Sequence, residues 1–262
     1  MNKVITYFLI FAYGIVAVFG HVAIAHDDSE NLLLAHKTPA EILVDGMEDE
    51  TAWALASWQP LDHLMSGSQP TADDFSGRFK VLWDAKQLYL LVEIVDDILI
   101  DQHADPLHLY WDDDCLEIFI DEDGSGGNHQ FNFNAFAYHI ALDNQVVDIG
   151  PNNSDGSTNF VLLNEHLNSV WRRSKSKPYK IFWEVALRVF DDTFTLSSNK
   201  NNQQPVTLTF GKTLGFMLAY CDNDGSKERE SFMGSTNIEP VNGDKNLGYI
   251  TADVFQKLKL IE

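Results

Sequence analysis

The chain has 262 residues, 45% of them hydrophobic and 12% aromatic, which is enough apolar material for a full core and excludes wholesale disorder. The formal net charge of −21 argues against a nucleic-acid partner, because an acidic surface repels the phosphate backbone. The length allows one large β domain or two small ones, and the pI near 4.6 is typical of a soluble acidic protein or of one that binds calcium.

Residues 1–25 have the pattern of a secretory signal peptide. Lys3 gives a short positive start, residues 4–20 form an apolar run without a charge, and residues 23–25 (Ala-Ile-Ala) form a cleavage site before His26. The alternative is an uncleaved membrane anchor, since the apolar run is long for a signal peptide. The cleavage site favours removal, so we expect a secreted or periplasmic protein with no membrane contact afterwards.

The next segment, residues 26–38, is polar and acidic apart from three leucines, and it is predicted to be an N-terminal tether. One domain is expected at residues 39–262. Its first clear element is a hairpin of two alternating strands, Arg78–Trp83 and Gln87–Val95, with a tight turn between them.

The stretch from Tyr110 to Asp121 carries the strongest functional pattern. Trp111 and three aspartates precede a strand that presents Leu116, Ile118 and Ile120 on one face and Cys115, Glu117 and Phe119 on the other. An unpaired carboxylate is costly inside a core, so Glu117 is expected on a wet face or beside a polar partner. The three aspartates are expected to keep the Trp111 loop out of the core. An aromatic ring beside acceptors suits a sugar, and a solvated acidic turn is the alternative.

The two cysteines, Cys115 and Cys221, both lie in strand-like segments. Export permits a disulfide between them, and two separate thiols on a sheet face are the alternative.

The loop after this strand resembles half of a calcium-binding loop. Asp121, Asp123 and Ser125, followed by Gly126, match the oxygen positions of such a loop and its glycine bend. The match is incomplete, because position 12 is Asn132 rather than glutamate, and a Gly-rich hairpin turn is the alternative. Residues 222–226 are a weaker candidate, and more aspartates follow Val95.

Residues 129–135 are predicted to form a strand with an apolar face and a row of amides, Gln130, Asn132 and Asn134. Such a row suggests a hydrogen-bonding platform beside Glu117, and an exposed sheet face is the alternative. Later strands are predicted at 138–143, 145–149, 159–163, 179–189, 214–221, 230–233 and 246–251. Many short alternating strands joined by Gly, Asn and Asp turns predict an all-β fold, an antiparallel β-sandwich of two packed sheets with a jelly-roll-like form.

Five segments in order resemble the family 9 carbohydrate-binding modules. They are Val44-Asp45-Gly46 with Trp53, Val81-Leu82-Trp83-Asp84, Trp111-Asp112-Asp113-Asp114 with Leu116-Glu117-Ile118-Phe119-Ile120-Asp121, Gln130-Phe131-Asn132-Phe133-Asn134, and Trp183-Glu184-Val185-Ala186-Leu187. The resemblance implies that Trp111 stacks on a sugar ring, that Glu117 accepts hydrogen bonds from sugar hydroxyls, and that structural calcium is bound. Asp114, Gln130 and Asn132 are further candidate carbohydrate-binding residues.

Two departures from the family pattern concern the ligand. Asn132 stands where the family has an arginine, and residues 234–246 lack the second tryptophan that closes an aromatic sandwich on the sugar. One stacking face predicts weaker binding or a different glycan.

Three functions therefore compete. The first is a secreted, non-catalytic protein that binds an oligo- or polysaccharide in carbohydrate catabolism, with a separate glycoside hydrolase as a possible partner. The second is a glycoside hydrolase, for which Glu117, Glu184 and residues 112–114 supply carboxylates. The third is a periplasmic sandwich that binds haem without covalent attachment through His or Met, since the chain has no Cys-x-x-Cys-His.

Overall fold

The computed structural model describes residues 32–196 and 203–262. The predicted signal peptide and the first part of the predicted tether lie outside the described residues. Within the described residues no helix is long and apolar enough to cross a membrane. These residues form strands and short 3-10 helices without an α-helix.

Fourteen strands are present in the described chain. The first seven are β1 Leu32–Lys37, β2 Gln59–Leu61, β3 His63–Gly67, β4 Phe75–Trp83, β5 Leu88–Asp96, β6 Cys115–Asp121 and β7 Phe136–Ala141. The other seven are β8 Val146–Gly150, β9 Asn159–Leu162, β10 Leu167–Arg173, β11 Lys180–Leu187, β12 Thr213–Asp222, β13 Ser231–Gly234 and β14 Gln256–Ile261. Short 3-10 helices lie at Thr51–Leu55, Tyr110–Asp112, Asn164–His166 and Ala252–Val254.

Eleven of the strands follow one hydrogen-bonded path in the order β10-β11-β5-β4-β1-β14-β12-β6-β7-β8-β9. Strand β1 runs parallel to its neighbours β14 and β4, whereas the other named pairs are antiparallel. This position corrects the predicted tether, because Leu32–Lys37 joins the two halves of the path. The leucines that looked like a stray apolar patch alternate there, with Leu33 and Ala35 in the core.

The path curls so that its two halves pack face to face. Residues of β4, β5 and β11 share one core cluster with residues of β6, β7 and β12. Ring pairs mark the contact: Phe79 lies 5.9 Å from Phe216, and Phe75 stacks on Tyr220 with centroids 5.3 Å apart. The predicted all-β, mostly antiparallel sandwich is thus confirmed.

Each half of the sandwich has a second apolar layer on its outer face. Leu82, Tyr89 and Leu91 pack there under Trp53 on one half, and Phe119, Met217 and Phe232 pack under the loops of the other. The predicted alternation of β6 is therefore confirmed, because its leucine and isoleucines enter the central core while Cys115 and Phe119 belong to the outer layer.

Two predicted strands near the end of the sheet are wrong. Residues 129–135 form turns rather than a strand, so the amides do not make a ladder. Residues 246–251 are likewise turns with an isolated bridge at Thr251, whereas the strand that completes the sheet is β14. Alternating apolar residues occur both in strands and in tightly packed turns. In these two segments the alternation therefore did not distinguish a turn from a strand.

The turn at residues 129–135 contains a buried histidine, His129, that is 3% exposed. Its Nε2 donates to the carbonyl of Gly248 at 2.8 Å, and the ring contacts Phe255. Burial lowers the pKa of His129 to about 4. The unfolded chain, with a histidine pKa of about 6.5, then binds more protons than the native one below that pH.

This histidine predicts a loss of stability in acid. Between pH 7 and pH 4.5 its contribution should fall by about 2 kcal/mol, because the native state keeps it neutral while the unfolded state becomes protonated. In the His129→Gln variant the amide still donates to Gly248 but does not titrate. Urea unfolding of both proteins at the two pH values checks this, and a free-energy difference that does not vary with pH would contradict it.

Candidate functional site

A cavity of about 330 Å³ opens on the outer face of β6 and β7. Aromatic and polar side chains from separate segments of the chain surround it. The lining residues are Tyr110, Trp111, Glu117, Gln130, Phe131, His139, Ile149, Thr158, Phe160, Arg229, Asn246 and Tyr249. Three of the five candidate carbohydrate-binding residues, Trp111, Glu117 and Gln130, are therefore together.

The Trp111 loop is anchored by its aspartates, contrary to the prediction that they would keep it exposed. Asp112, Asp113 and Asp114 are all buried. Asp113 accepts backbone N–H bonds from Gln102 and His103 at 3.0 Å each. The carboxylates thus replace water with backbone donors, which offsets the cost of burial.

Asp114 lies outside the cavity lining and ties two loops together. Its two oxygens accept hydrogen bonds from the backbone N–H groups of Ile100 and Asn223, at 2.5 and 2.7 Å. The structure therefore gives Asp114 a loop-anchoring position rather than a place among the cavity side chains.

Trp111 forms the aromatic wall of the cavity together with Tyr110 and with three aromatic residues that sequence analysis did not assign to the site. Its half-buried ring lies 5.8 Å from Phe160 of β9 and edge-on to Tyr110 at 5.0 Å. Phe131 and Tyr249 reach the same cavity from two turns. Although residues 234–246 contain no aromatic side chain, Tyr249, three residues further on, supplies one.

Glu117 forms the floor of the cavity and is 2% exposed. His139 is directly opposite on β7, with Nε2 2.7 Å from Oε1 of Glu117. The same oxygen accepts from the Cys221 thiol at 3.0 Å and lies 3.5 Å from Nη1 of Arg229. The predicted polar partner of Glu117 is therefore present, and the predicted wet face is not.

The charges of this floor stabilise each other. Burial alone would raise the pKa of Glu117, but His139 and Arg229 outweigh it and hold the pKa below its usual value. Burial would lower the pKa of His139, yet Glu117 raises it to about 9. At neutral pH the floor therefore presents an ionised carboxylate between two cations.

The two candidates from the predicted amide row lie in different places. Gln130 lines the cavity, whereas Asn132 is exposed on the turn, where its side chain accepts from the N–H of Asn134 and donates to the carbonyl of Asn128. The cavity has an arginine nevertheless, Arg229, which comes from the loop between β12 and β13. Nothing in the sequence around Arg229 distinguishes it from a solvated charge run. The sequence around His139 gave only a weak indication of a site residue, because His139 is a polar residue between Tyr138 and Ile140 of the alternating strand β7.

The predicted calcium loop binds its own backbone in this structure. Asp121 accepts from the N–H groups of Gly124 and Gly126, and Asp123 accepts from that of Ser125. Ser125 is exposed. Among the described residues the groups of three carboxylates with converging oxygens lie elsewhere, and none includes this loop.

One such group is buried and consists of Asp96, Asp114 and Asp222, whose oxygens lie within 4.8 Å of one another. Asp96 is 0% exposed, and its Oδ1 has no hydrogen-bond partner, although Oδ2 accepts from the Tyr220 hydroxyl at 2.7 Å. Burial, followed by mutual repulsion, raises the pKa of Asp114 to about 9 and that of Asp222 to about 8. A second group, Asp74, Asp97 and Asp224, is half-buried, and Oδ1 of Asp97 and of Asp224 lacks a partner.

Both groups fit a hard cation. Calcium binds through several carboxylate and carbonyl oxygens, and a buried oxygen without a partner is explained by an ion. The weaker candidate at residues 222–226 supplies Asp222 and Asp224, and the aspartates after Val95 supply Asp96 and Asp97.

Glu184, a carboxylate considered for catalysis, is buried away from the cavity lining. Its Oε2 accepts from the backbone N–H groups of Asp45 and Gly46 at 2.9 and 3.0 Å, and its Oε1 accepts from Nε1 of Trp53 at 3.2 Å. It therefore connects the first loop of the domain to β11.

The fold matches solved structures at low sequence identity. A family 9 carbohydrate-binding module from Caldicellulosiruptor kristjanssonii in complex with cellotriose matches with a TM-score of 0.58 and 16% identity, over 88% of this chain and 93% of that one. The same kind of module from that organism in complex with glucose has a TM-score of 0.56 and 17% identity, over 87% and 95%. A structure from Bacteroides uniformis has a TM-score of 0.57 and 13% identity, over 88% and 99%.

None of the curated proteins matches the chain. The sequence profile of the family described as carbohydrate family 9 binding domain-like matches residues 44–262, which is most of the chain. The chain therefore belongs to this family, whose domain is a carbohydrate-binding module of a non-catalytic type.

Proposed function

We propose that this domain binds a glucose-containing oligosaccharide in the cavity above Glu117. The observation that carries the proposal is the combination of half-buried aromatic rings with a buried, charged floor in one cavity. Ring faces of Trp111, Phe160 and Tyr249 suit the C–H faces of a sugar. Family members with this fold were solved with glucose and cellotriose, which supports the sugar class.

The polar lining matches sugar hydroxyls, which both donate and accept hydrogen bonds. Glu117 accepts, Arg229 donates, and the amides of Gln130 and Asn246 do both. Volumes of about 300–1,000 Å³ are usual for small-molecule sites, so this cavity is at the small end and suits a short sugar segment.

The glycoside hydrolase alternative has less support. Hydrolysis requires two carboxylates about 5–9.5 Å apart across the scissile bond. Glu117 is the one carboxylate among the described residues that line the cavity, Glu184 is bonded elsewhere, and residues 112–114 anchor the loop.

The haem alternative gains no supporting contact, because the histidine of the cavity, His139, faces Glu117. Secretion, a catabolic role and a separate glycoside hydrolase partner stay predictions.

We also propose that Asp96, Asp114 and Asp222 hold a structural calcium ion, with Asp74, Asp97 and Asp224 as a second group beside it. The converging oxygens and the unpartnered Oδ1 of Asp96 support this location over the loop at Asp121. A bound calcium would fix the loop that carries Trp111, because Asp114 belongs to both.

The binding proposal is tested on Trp111→Ala. We expect at least about tenfold weaker binding of cellotriose, since stacking of about 1.4 kcal/mol corresponds to that factor. Stability should fall by less than about 1 kcal/mol, because the ring is half-buried at the rim. Calorimetric titration with glucose and cellotriose measures the first effect, and urea unfolding measures the second.

The matched control is Trp58→Ala. Trp58 is another half-buried tryptophan, but it lies outside the cavity lining, next to Arg78 and Lys80. This variant should bind the sugars like the wild type. Unchanged binding in Trp111→Ala would contradict the proposal, and so would a stability loss of about 3–5 kcal/mol, the cost expected for a core tryptophan.

A further inference from the structure

Four side chains that are typical metal ligands converge at the floor of the cavity. The thiols of Cys115 and Cys221, a carboxylate oxygen of Glu117 and a ring nitrogen of His139 lie within 4.8 Å of one another, and all four residues are buried. The sheet fixes them, because Cys115 is directly opposite Cys221 and Glu117 is directly opposite His139 across adjacent strand pairs.

The donor types match a borderline-soft divalent ion. Two thiolates, an imidazole and a carboxylate form a ligand set that zinc binds tetrahedrally, with Zn–S distances of about 2.3 Å and Zn–N or Zn–O distances of about 2.0–2.2 Å. Hard calcium disfavours thiolates, so this group differs in chemistry from the aspartate groups.

The distances between these donor atoms are slightly shorter than those between the ligands of a tetrahedral zinc ion. Donor atoms around tetrahedral zinc are about 3.3–3.8 Å apart by those bond lengths. Oε1 of Glu117 is 3.0 Å from Sγ of Cys221 and 2.7 Å from Nε2 of His139. Spreading of about half an ångström, within the reach of side-chain rotation, would admit the ion.

A second observation comes from His139, which is 9% exposed. Its Nε2 is completely buried and lacks an aligned hydrogen-bond partner, even though Oε1 of Glu117 is close. Both atoms belong to the same group of converging donor atoms, as ligands of one ion do. A buried polar atom of this kind calls for an ion or an unseen partner.

Charge balance also favours an ion. Two thiolates and the Glu117 carboxylate carry three negative charges, which a divalent cation and the guanidinium of Arg229 neutralise. Nη1 of Arg229 donates to Sγ of Cys221 at 3.1 Å, a position that suits a residue orienting a ligand. Because thiolates rather than thiols bind the metal, any proton on these sulfurs is released when it binds.

We propose that Cys115, Glu117, His139 and Cys221 form a binding site for zinc or a similar thiolate-seeking divalent metal. The site does not depend on carbohydrate binding, although it shares Glu117 with the cavity. The competing state is a disulfide between the two opposed cysteines, which would remove two of the ligands.

The test uses the full chain, reduced and freed of metal, with Zn²⁺ alone and Co²⁺ alone as probes. We expect one Zn²⁺ to be retained per chain after gel filtration, and Co²⁺ to give a thiolate charge-transfer band with tetrahedral d–d absorption. Cys221→Ser and His139→Gln should each weaken Zn²⁺ binding by at least about 100-fold, which exceeds the about 10–100-fold effect of residues around the ligands.

His129→Gln is the matched control, since it replaces another buried histidine outside the group, and it should keep the cobalt spectrum. Trp111→Ala should keep it as well while losing sugar, which separates this proposal from the carbohydrate proposal. The proposal is overturned if reduced wild type retains no Zn²⁺, if bound Co²⁺ shows no thiolate band, or if the protein returns to a Cys115–Cys221 disulfide in the presence of zinc. The wild-type measurements decide the matter even if a variant fails to fold.

Discussion

Removing calcium is expected to lower the melting temperature of this domain by about 5–10 °C. A ligand that binds only the native state and is present at 100 times its Kd adds about 2.7 kcal/mol, and for a domain of this size each kcal/mol moves the Tm by about 2–4 °C. The physical reason is the buried group of Asp96, Asp114 and Asp222, where burial and then mutual repulsion disfavour ionised carboxylates until a cation is bound.

The measurement is a thermal melt of chelated, buffer-exchanged protein with and without added calcium chloride. In Asp96→Asn the shift should disappear, and the metal-free variant should be at least as stable as metal-free wild type, because one buried charge is gone. Tyr220 still has an acceptor in the asparagine, so the variant is close in shape.

Asp123→Asn is the matched control, because it changes an aspartate of the loop that the sequence singled out. The calcium shift should persist in this variant. If the calcium-induced shift in Tm were lost in Asp123→Asn and retained in Asp96→Asn, calcium would bind at the predicted loop instead. A Tm that calcium leaves unchanged in metal-free wild type would refute calcium stabilisation altogether.

Replacing Glu184 by glutamine is expected to destabilise the fold by about 3 kcal/mol at pH 8. Three N–H groups donate to its two oxygens, from Asp45, Gly46 and Trp53. Glutamine would direct its own N–H₂ at one of these donors, and each buried group left without a partner costs about 1–3 kcal/mol. Burial raises the pKa of Glu184 to about 7, so at pH 8 the wild-type side chain is largely ionised.

Glu93→Gln is the appropriate comparison, because Glu93 lies on the adjacent strand β5 and pairs with Arg78 and Lys180 near the surface. Exposed ion pairs contribute about 0–1 kcal/mol, so this variant should lose little. Urea unfolding of the two variants beside wild type checks the contrast. Equal stability of the two variants would show that Glu184 is not a structural anchor, and it would restore interest in Glu184 as a reactive group.

The parts of the fold that sequence analysis predicted well depend on local patterns. The alternation of β6 and the hairpin of β4 and β5 are visible within a few residues, because side chains of a strand point to opposite faces in turn. The same alternation failed at residues 129–135, where turn residues fill the core with Phe133 and Ala135 without any strand pairing.

The parallel partners β1 and β14 show a different kind of failure. Both have six residues, both contain lysine, and they lie side by side in the middle of the path, between β4 and β12. Residues 225 positions apart, such as Leu32 and Lys257, pair there, and no local signal encodes such a pairing.

The candidate site divides in the same way. The sequence by itself predicted Trp111 and Glu117 as site residues, because an aromatic residue before an alternating strand that contains a carboxylate is a local feature, and it determined the family. Tertiary structure alone decided the rest: it brought His139 opposite Glu117, Arg229 over Cys221, and Asp96 beside Asp222. The reason is that burial and charge pairing depend on which strands become neighbours, and sheet order is set by packing of the whole core rather than by any one segment.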